Sequence, residues 1–144
     1  ETKIDPRRVE LEITESLLLE SNEGVLSTLH QCRQLGIGIA LDDFGTGYSS
    51  LSYLQKFPFS RIKIDRSFIQ NVADKKSAYD IVKAIVALAR AVDMSVTAEG
   101  IETEQQLNAA RECGCTDFQG YLFSKPKPFD EVTPLLIERS IMAA

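Results

Sequence analysis

Strand-like and helix-like segments alternate along the whole chain, and each strand-like segment ends in or beside a polar residue. Val9–Ile13, Ile37–Leu41, Arg61–Ile64, Ser95–Ala98 and Thr116–Gln119 read as strands from their β-branched content and alternation. Glu23–Leu35, Ser49–Lys56, Ser77–Val92, Glu104–Cys113 and Asp130–Met142 read as helices. Gly36 and Gly114 stand where a left-handed residue closes a helix, and Pro58 stops Ser49–Lys56. Ser77–Val92 is the strongest helix, with Ile81, Ile85, Leu88 and Val92 at core spacing. Regular alternation predicts a parallel sheet with helices packed outside it. At 144 residues, without a linker or short repeat, the chain matches one domain with a real core.

The strands share a parity, because successive side chains on a strand face opposite ways. Val9, Leu11 and Ile13 oppose Glu10 and Glu12, while Ile37, Ile39 and Leu41 oppose Gly38, Ala40 and Asp42. Ile62 and Ile64 oppose Arg61 and Lys63; Val96 and Ala98 oppose Ser95, Thr97 and Glu99; Phe118 opposes Asp117 and Gln119. One face is therefore apolar and suited to covering helices. The other is small or polar and finishes in Glu12, Asp42, Lys63, Glu99 and Gln119. Neighbouring strands that deliver polar groups to one rim predict the active-site layout of a β/α barrel. An open doubly wound sheet is the alternative, although its central strands would be apolar on both faces.

A hydrophobic content of 44% and a charged content of 26% are globular values. No apolar run reaches the length of a membrane span, and the amino end carries no signal-peptide pattern. A net charge of -5 argues against nucleic-acid binding through phosphates. It still permits a small phosphate ligand held through metal ions. Cys32, Cys113 and Cys115 lack a zinc spacing and read as reduced thiols. His30, the single histidine, sits in an amphipathic stretch, which leaves a Ser/His/Asp triad without support.

Glu12, Asp42, Asp43, Glu99 and Glu102 would crowd five carboxylates around one ammonium, Lys63. Such crowding costs several kcal/mol unless cations neutralise it. Oxygen ligands without histidine or cysteine indicate Mg²⁺ or Mn²⁺. The Asp42-Asp43 pair can bridge two such ions, as used for in-line displacement at phosphorus. Lys63 would position water or offset phosphate charge, and Gln119 offers a neutral donor and acceptor. Each feature also has a plain structural reading. An Asp-Asp pair often marks a turn or cap, Glu12 could open a helix capped by Thr14 or Ser16, and Lys63 could pair with Asp65 on the surface. Gly45-Thr46-Gly47 lacks the Lys-Ser/Thr of a P-loop. Their joint occurrence at strand ends favours a site.

Glu12-Ile13-Thr14-Glu15-Ser16, Asp42-Asp43-Phe44-Gly45-Thr46-Gly47-Tyr48-Ser49-Ser50-Leu51, Lys63-Ile64-Asp65, Ala98-Glu99-Gly100-Ile101-Glu102-Thr103 and Gln119-Gly120-Tyr121-Leu122-Phe123-Ser124-Lys125-Pro126 together resemble the EAL domain, in order along essentially the whole chain. That family comprises bacterial phosphodiesterases that open cyclic di-GMP to linear pGpG. The resemblance implies metal ligands at Glu12, Asp42, Asp43 and Glu99, and a Mg²⁺ or Mn²⁺ pair in the full domain. It implies that Lys63 orients the nucleophilic water and that Glu99 shares in activating it. Glu102 and Gln119 match supporting or substrate-contacting positions, and Glu15 matches the glutamate that anchors the following loop. That active-site loop, beginning Phe44, Gly45, Thr46 and Gly47, binds metal and responds to dimerisation in the family. A bacterial cytoplasmic setting and a sensory or GGDEF-type domain upstream are implied too.

The chain departs from the pattern upstream. The Glu-Ala-Leu signature and the asparagine that follows it, both matching metal-ligand positions, are absent. A complete barrel has eight strands and roughly 250 residues, so residues 1–144 resemble the carboxyl-terminal part of one EAL domain, with five β/α units. An unclosed sheet leaves edge strands unpaired, which predicts pairing with a second copy, exchange of strands or helices, or a missing segment still bound; loss of two metal ligands and an open site predict weak activity in isolation. The alternatives are an EAL-like receptor that binds cyclic di-GMP without cutting it, and an interaction scaffold.

Overall fold

The computed structural model describes residues 3–19, 23–45 and 51–134. A five-stranded sheet forms its centre, built from β1 (Glu10–Thr14), β2 (Gly38–Phe44), β3 (Arg61–Ile64), β4 (Ser95–Ala98) and β5 (Asp117–Phe118). All neighbouring strands are parallel, and their spatial order equals their chain order. A doubly wound sheet reverses direction at a switch point. The uninterrupted order here is that of barrel staves, and the sheet is open, as in an incomplete (β/α)8 TIM-type barrel.

The helices among the described residues are α1 (Glu15–Leu19), α2 (Glu23–Gln34), α3 (Leu51–Lys56), α4 (Arg66–Ile69), α5 (Lys76–Ala91) and α6 (Glu104–Cys113). Residues 129–134 are also helical; the rest of the expected Asp130–Met142 helix lies outside the described residues, as do Ser49 and Ser50. α6 starts in a capping box, with Thr103 Oγ1 accepting the Gln106 N–H and Gln106 Oε1 accepting the Thr103 N–H. It ends at Gly114, whose φ of 98° is left-handed. The short helix α4 was not expected, because it occupies about one turn and has no room for a periodic signal, whereas α1 begins just after Thr14, near the helix start that the plain reading of Glu12 allows.

The sheet's apolar face meets the helices. Ile39, Leu41, Ile62, Ile64 and Val96 are buried there with Val82, Val86 and Ala89 of α5 and Ala110 of α6. The core stripe of α5 is centred differently from the expected one, although Ile85 is buried and Leu88 and Val92 pack against the core as expected. Val82, Ile85, Val86 and Ala89 are buried, whereas Ile81 is 45% exposed. Both stripes have helical spacing and share Ile85, so periodicity alone fixes the helix but not the centre of its apolar arc.

Candidate active site

Lys63 rises from β3 on the opposite, polar face, with its side chain only 6% exposed. Its Nζ meets Glu12 Oε1 of β1 at 2.7 Å, Glu99 Oε1 just beyond β4 at 2.8 Å, and Asp42 Oδ1 of β2 at 3.1 Å. Four strand ends therefore converge on one ammonium. Burial works to lower the Lys63 pKa, but the close carboxylates of Glu12, Glu99 and Asp42 outweigh it and hold the pKa above the ordinary lysine value. The three carboxylates thus favour the cationic form of Lys63. Glu99 shifts upward because burial exceeds the opposing hydrogen bond from Lys63. The plain reading of Lys63 as a surface partner of Asp65 is overturned, because Asp65 instead caps α4 by accepting the Ser67 N–H at 2.9 Å.

The paired aspartates owe their placement to a bulge. Leu41 pairs with Ile62 and Phe44 with Ile64, so β2 contains one residue more than β3 over that span. Asp43 takes a left-handed φ of 55°. In a regular strand, adjacent aspartates would point to opposite faces. With the bulge, oxygens of Asp42, Asp43 and Glu99 all lie within 4.8 Å of one another. Asp43 shifts upward through burial first and the Asp42 charge second. The apolar run predicts a strand ending at Leu41, and the family resemblance starts the loop at Phe44. Phe44 instead closes β2 and packs in the core at 7% exposure.

These three carboxylates suit a hard divalent cation, since they are half-buried oxygen donors already forced together. Asp42 Oδ1 is buried and, despite the close Lys63 ammonium, accepts no well-aligned hydrogen bond. Glu12 stands apart from the three, with its side chain half exposed and turned to Lys63. Glu15, buried in α1, accepts the Gly45 N–H at 2.8 Å and so ties the start of the following loop to β1's end. Thr46 and Gly47 lie outside the described residues.

Glu102 and Gln119 are exposed and do not join the Lys63 group. Glu102 faces Arg66 at 3.7 Å, and both line a shallow cavity of about 130 Å³ with Gly100, Gly120 and Tyr121. Gln119 is not among the residues lining this cavity; its backbone carbonyl accepts the Ile101 N–H at 3.0 Å. A Cβ on Gly120 would collide with the backbone nitrogen and oxygen of Ile101. Gly120→Ala is therefore expected to destabilise the chain by about 1–3 kcal/mol, as overpacking does, read as a lower urea midpoint with an unchanged slope.

Sequence reading missed a second charged layer. Arg61 Nε lies 3.0 Å from Glu10 Oε2, and its Nη1 lies 2.6 Å from Asp117 Oδ2. The available signal was parity, since Glu10 and Arg61 sit two residues before Glu12 and Lys63 on the same strands.

The EAL domain family model matches residues 1–126. The chain is 45% identical over 120 residues to the cyclic di-GMP phosphodiesterase NbdA of Pseudomonas aeruginosa, covering 83% of this chain and 15% of that protein. It resembles the solved MucR phosphodiesterase of the same organism, in complex with c-di-GMP, at a TM-score of 0.82 and 43% identity, covering 90% of this chain and 52% of that one. A Klebsiella pneumoniae BlrP1 structure, a manganese and c-di-GMP complex, matches at a TM-score of 0.79 and 32% identity over 85% of this chain and 31% of that one. The chain thus spans about a sixth of NbdA and about half of the solved MucR chain. With the family model matching most of its length and the barrel staves in the same arrangement, the chain belongs to the EAL domain family.

Proposed function

We propose that the chain forms the metal-binding and water-activating wall of a phosphodiesterase that hydrolyses cyclic di-GMP to linear pGpG. The observation that carries this reading is the meeting of Glu12, Asp42 and Glu99 on Lys63, with Asp43 bulged in beside them. Asp42, Asp43 and Glu99, with Glu12 on the open side, are the residues that would hold Mg²⁺ or Mn²⁺. Such ions neutralise phosphate charge and lower the pKa of bound water. Lys63 fixes the carboxylates and supplies a permanent positive charge at the reacting oxygens. Glu99, with its pKa raised by burial, takes the proton of the attacking water. One P–O bond forms to that water, the ester P–O bond opposite it breaks, the freed ester oxygen takes up a proton from solvent, and the ring opens. Glu102 supports the substrate from the neighbouring cavity and Gln119 from the end of β5, and Glu15 anchors the active-site loop that starts beyond Phe44 and includes Gly45, Thr46 and Gly47.

The 144 residues contain no counterpart of the Glu-Ala-Leu signature or its following asparagine. In this reading the parent domain is the active enzyme and the chain by itself is weak. Calorimetry of the chain with cyclic di-GMP tests the site directly: binding should require Mg²⁺ or Mn²⁺ and vanish with chelator. Metal-independent binding would contradict the ligand assignment.

The open sheet presents β1 and β5 as edges. Gel filtration is accordingly expected to show a concentration-dependent dimer, formed by pairing or exchange of elements. A compact monomer across a wide concentration range would contradict that expectation. No described helix is long and apolar enough to cross a membrane. Residence in the bacterial cytoplasm, beside a sensory or GGDEF-type domain, completes the proposal.

A further inference from the structure

The layer beneath Lys63 is organised around Arg61. Besides Glu10 of β1 and Asp117 of β5, its Nη1 donates to Thr97 Oγ1 of β4 at 3.0 Å. Asp117 Oδ2 also accepts the Thr116 hydroxyl at 2.7 Å. A Cβ at Gly38 would stand 3.2 Å from Glu10 Oε2, so glycine leaves room for that carboxylate beside β2. One guanidinium thereby straps β1, β3, β4 and β5. Each strapped strand carries a rim residue two positions further on: Glu12, Lys63, Glu99 and Gln119.

A lone surface ion pair contributes little. This one is a planar fork with three partners, and the Arg61 side chain is only 24% exposed. Its partners on β1 and β5 lie on strands that do not pair with β3, so they come within reach only because the sheet curls inward. The strap fixes that curl.

We propose that Arg61 is a positioning residue: through Glu10, Thr97 and Asp117 it sets the inward curl of the sheet that brings Glu12 and Glu99 onto Lys63. Its bearing on metal binding rests on the functional reading above; its bearing on the Lys63 group does not.

A double-mutant cycle on the chain, using Arg61→Met and Lys63→Met in urea unfolding, separates positioning from bulk stability. If Arg61 positions the partners of Lys63, losing it removes part of what Lys63 contributes. The double variant should then be about fivefold or more less damaged in its unfolding constant than the product of the single effects. Relief of direct repulsion between the two cations would give the opposite sign. Should Arg61→Met not fold, Asp117→Asn loosens the same strap at a half-exposed side chain and enters the same cycle. Arg61→Lys keeps the charge but not the fork, so it should fall between wild type and Arg61→Met. Effects that multiply within about twofold, or couple with the opposite sign, overturn the proposal. In a parallel Mn²⁺ titration followed by electron paramagnetic resonance, Arg61→Met should weaken binding about tenfold. Unchanged affinity overturns the claim that the strap shapes the metal-facing carboxylates. A wild-type chain that shows the coupling but binds no Mn²⁺ contradicts the functional reading and upholds the role of Arg61.

Discussion

Replacing Lys63 by methionine is expected to cost the chain both stability and chemistry. Methionine fills similar space but leaves Glu12, Asp42 and Glu99 facing one another without a counter-charge. Removing one partner of a buried ionic group costs about 3–5 kcal/mol, and the half-exposed Glu12 places this case near the lower end. The deficit should depend on pH. Burial already raises the Glu99 pKa, and loss of the ammonium removes the main opposing influence. A carboxyl whose folded-state pKa exceeds its unfolded value destabilises the fold above that pKa, and the penalty fades as pH falls through it. The Lys63→Met deficit should therefore shrink in urea titrations taken from about pH 8 to about pH 5. An equal deficit across that range would show that packing, not charge, sets the loss. Hydrolysis by the parent domain should fall about a hundredfold to a thousandfold, the scale of losing one preorganised electrostatic group.

The second large effect is expected at Asp43, where function and stability should move in opposite directions. Asn tolerates the left-handed φ of 55°, so Asp43→Asn keeps the bulge and removes only the charge. Mn²⁺ affinity should drop at least about a hundredfold, since even residues behind a metal ligand cost up to that much when lost. The metal-free chain should become slightly more stable at neutral pH. Burial and the Asp42 charge raise the Asp43 pKa, so its ionised form is held at a cost that Asn avoids. The gain should disappear as pH falls below that pKa, where Asp43 is itself neutral. A variant that loses stability while keeping its metal affinity would place Asp43 in the scaffold.

How far the sequence reveals this molecule depends on which signal each feature leaves. The parallel sheet and its rim were legible because every strand except the last is four residues or longer, and parity survives at that length. Glu12, Asp42, Lys63 and Glu99 followed from parity alone. The inward position of Asp43 did not, because a bulge breaks the two-residue period and nothing in Leu41-Asp42-Asp43-Phe44 marks a register shift. The adjacent Asp42-Asp43 pair at a strand end, rather than periodicity, made Asp43 a ligand candidate, and resemblance to the EAL domain added to it. The exposure of Ile81 in the expected α5 stripe has a related cause, since a helix rich in apolar residues offers more than one stripe at the right spacing. Arg61 was overlooked because charge on a strand interior reads as solvent-facing until neighbouring strands supply its partners. The thiols kept their bland reading. Cys113 and Cys115 are buried, and burial pushes the Cys115 thiol up to about 12, far from a reactive thiolate.

Formation of pGpG from cyclic di-GMP by the full-length protein, followed by chromatography with Mn²⁺ and then with EDTA, tests the central claim most directly. The carboxylate rim around Lys63 predicts turnover with Mn²⁺, none after chelation, and turnover about a hundredfold to a thousandfold lower in the Lys63→Met variant. Turnover that survives EDTA, or metal-dependent binding of cyclic di-GMP with no pGpG at any time, would contradict it.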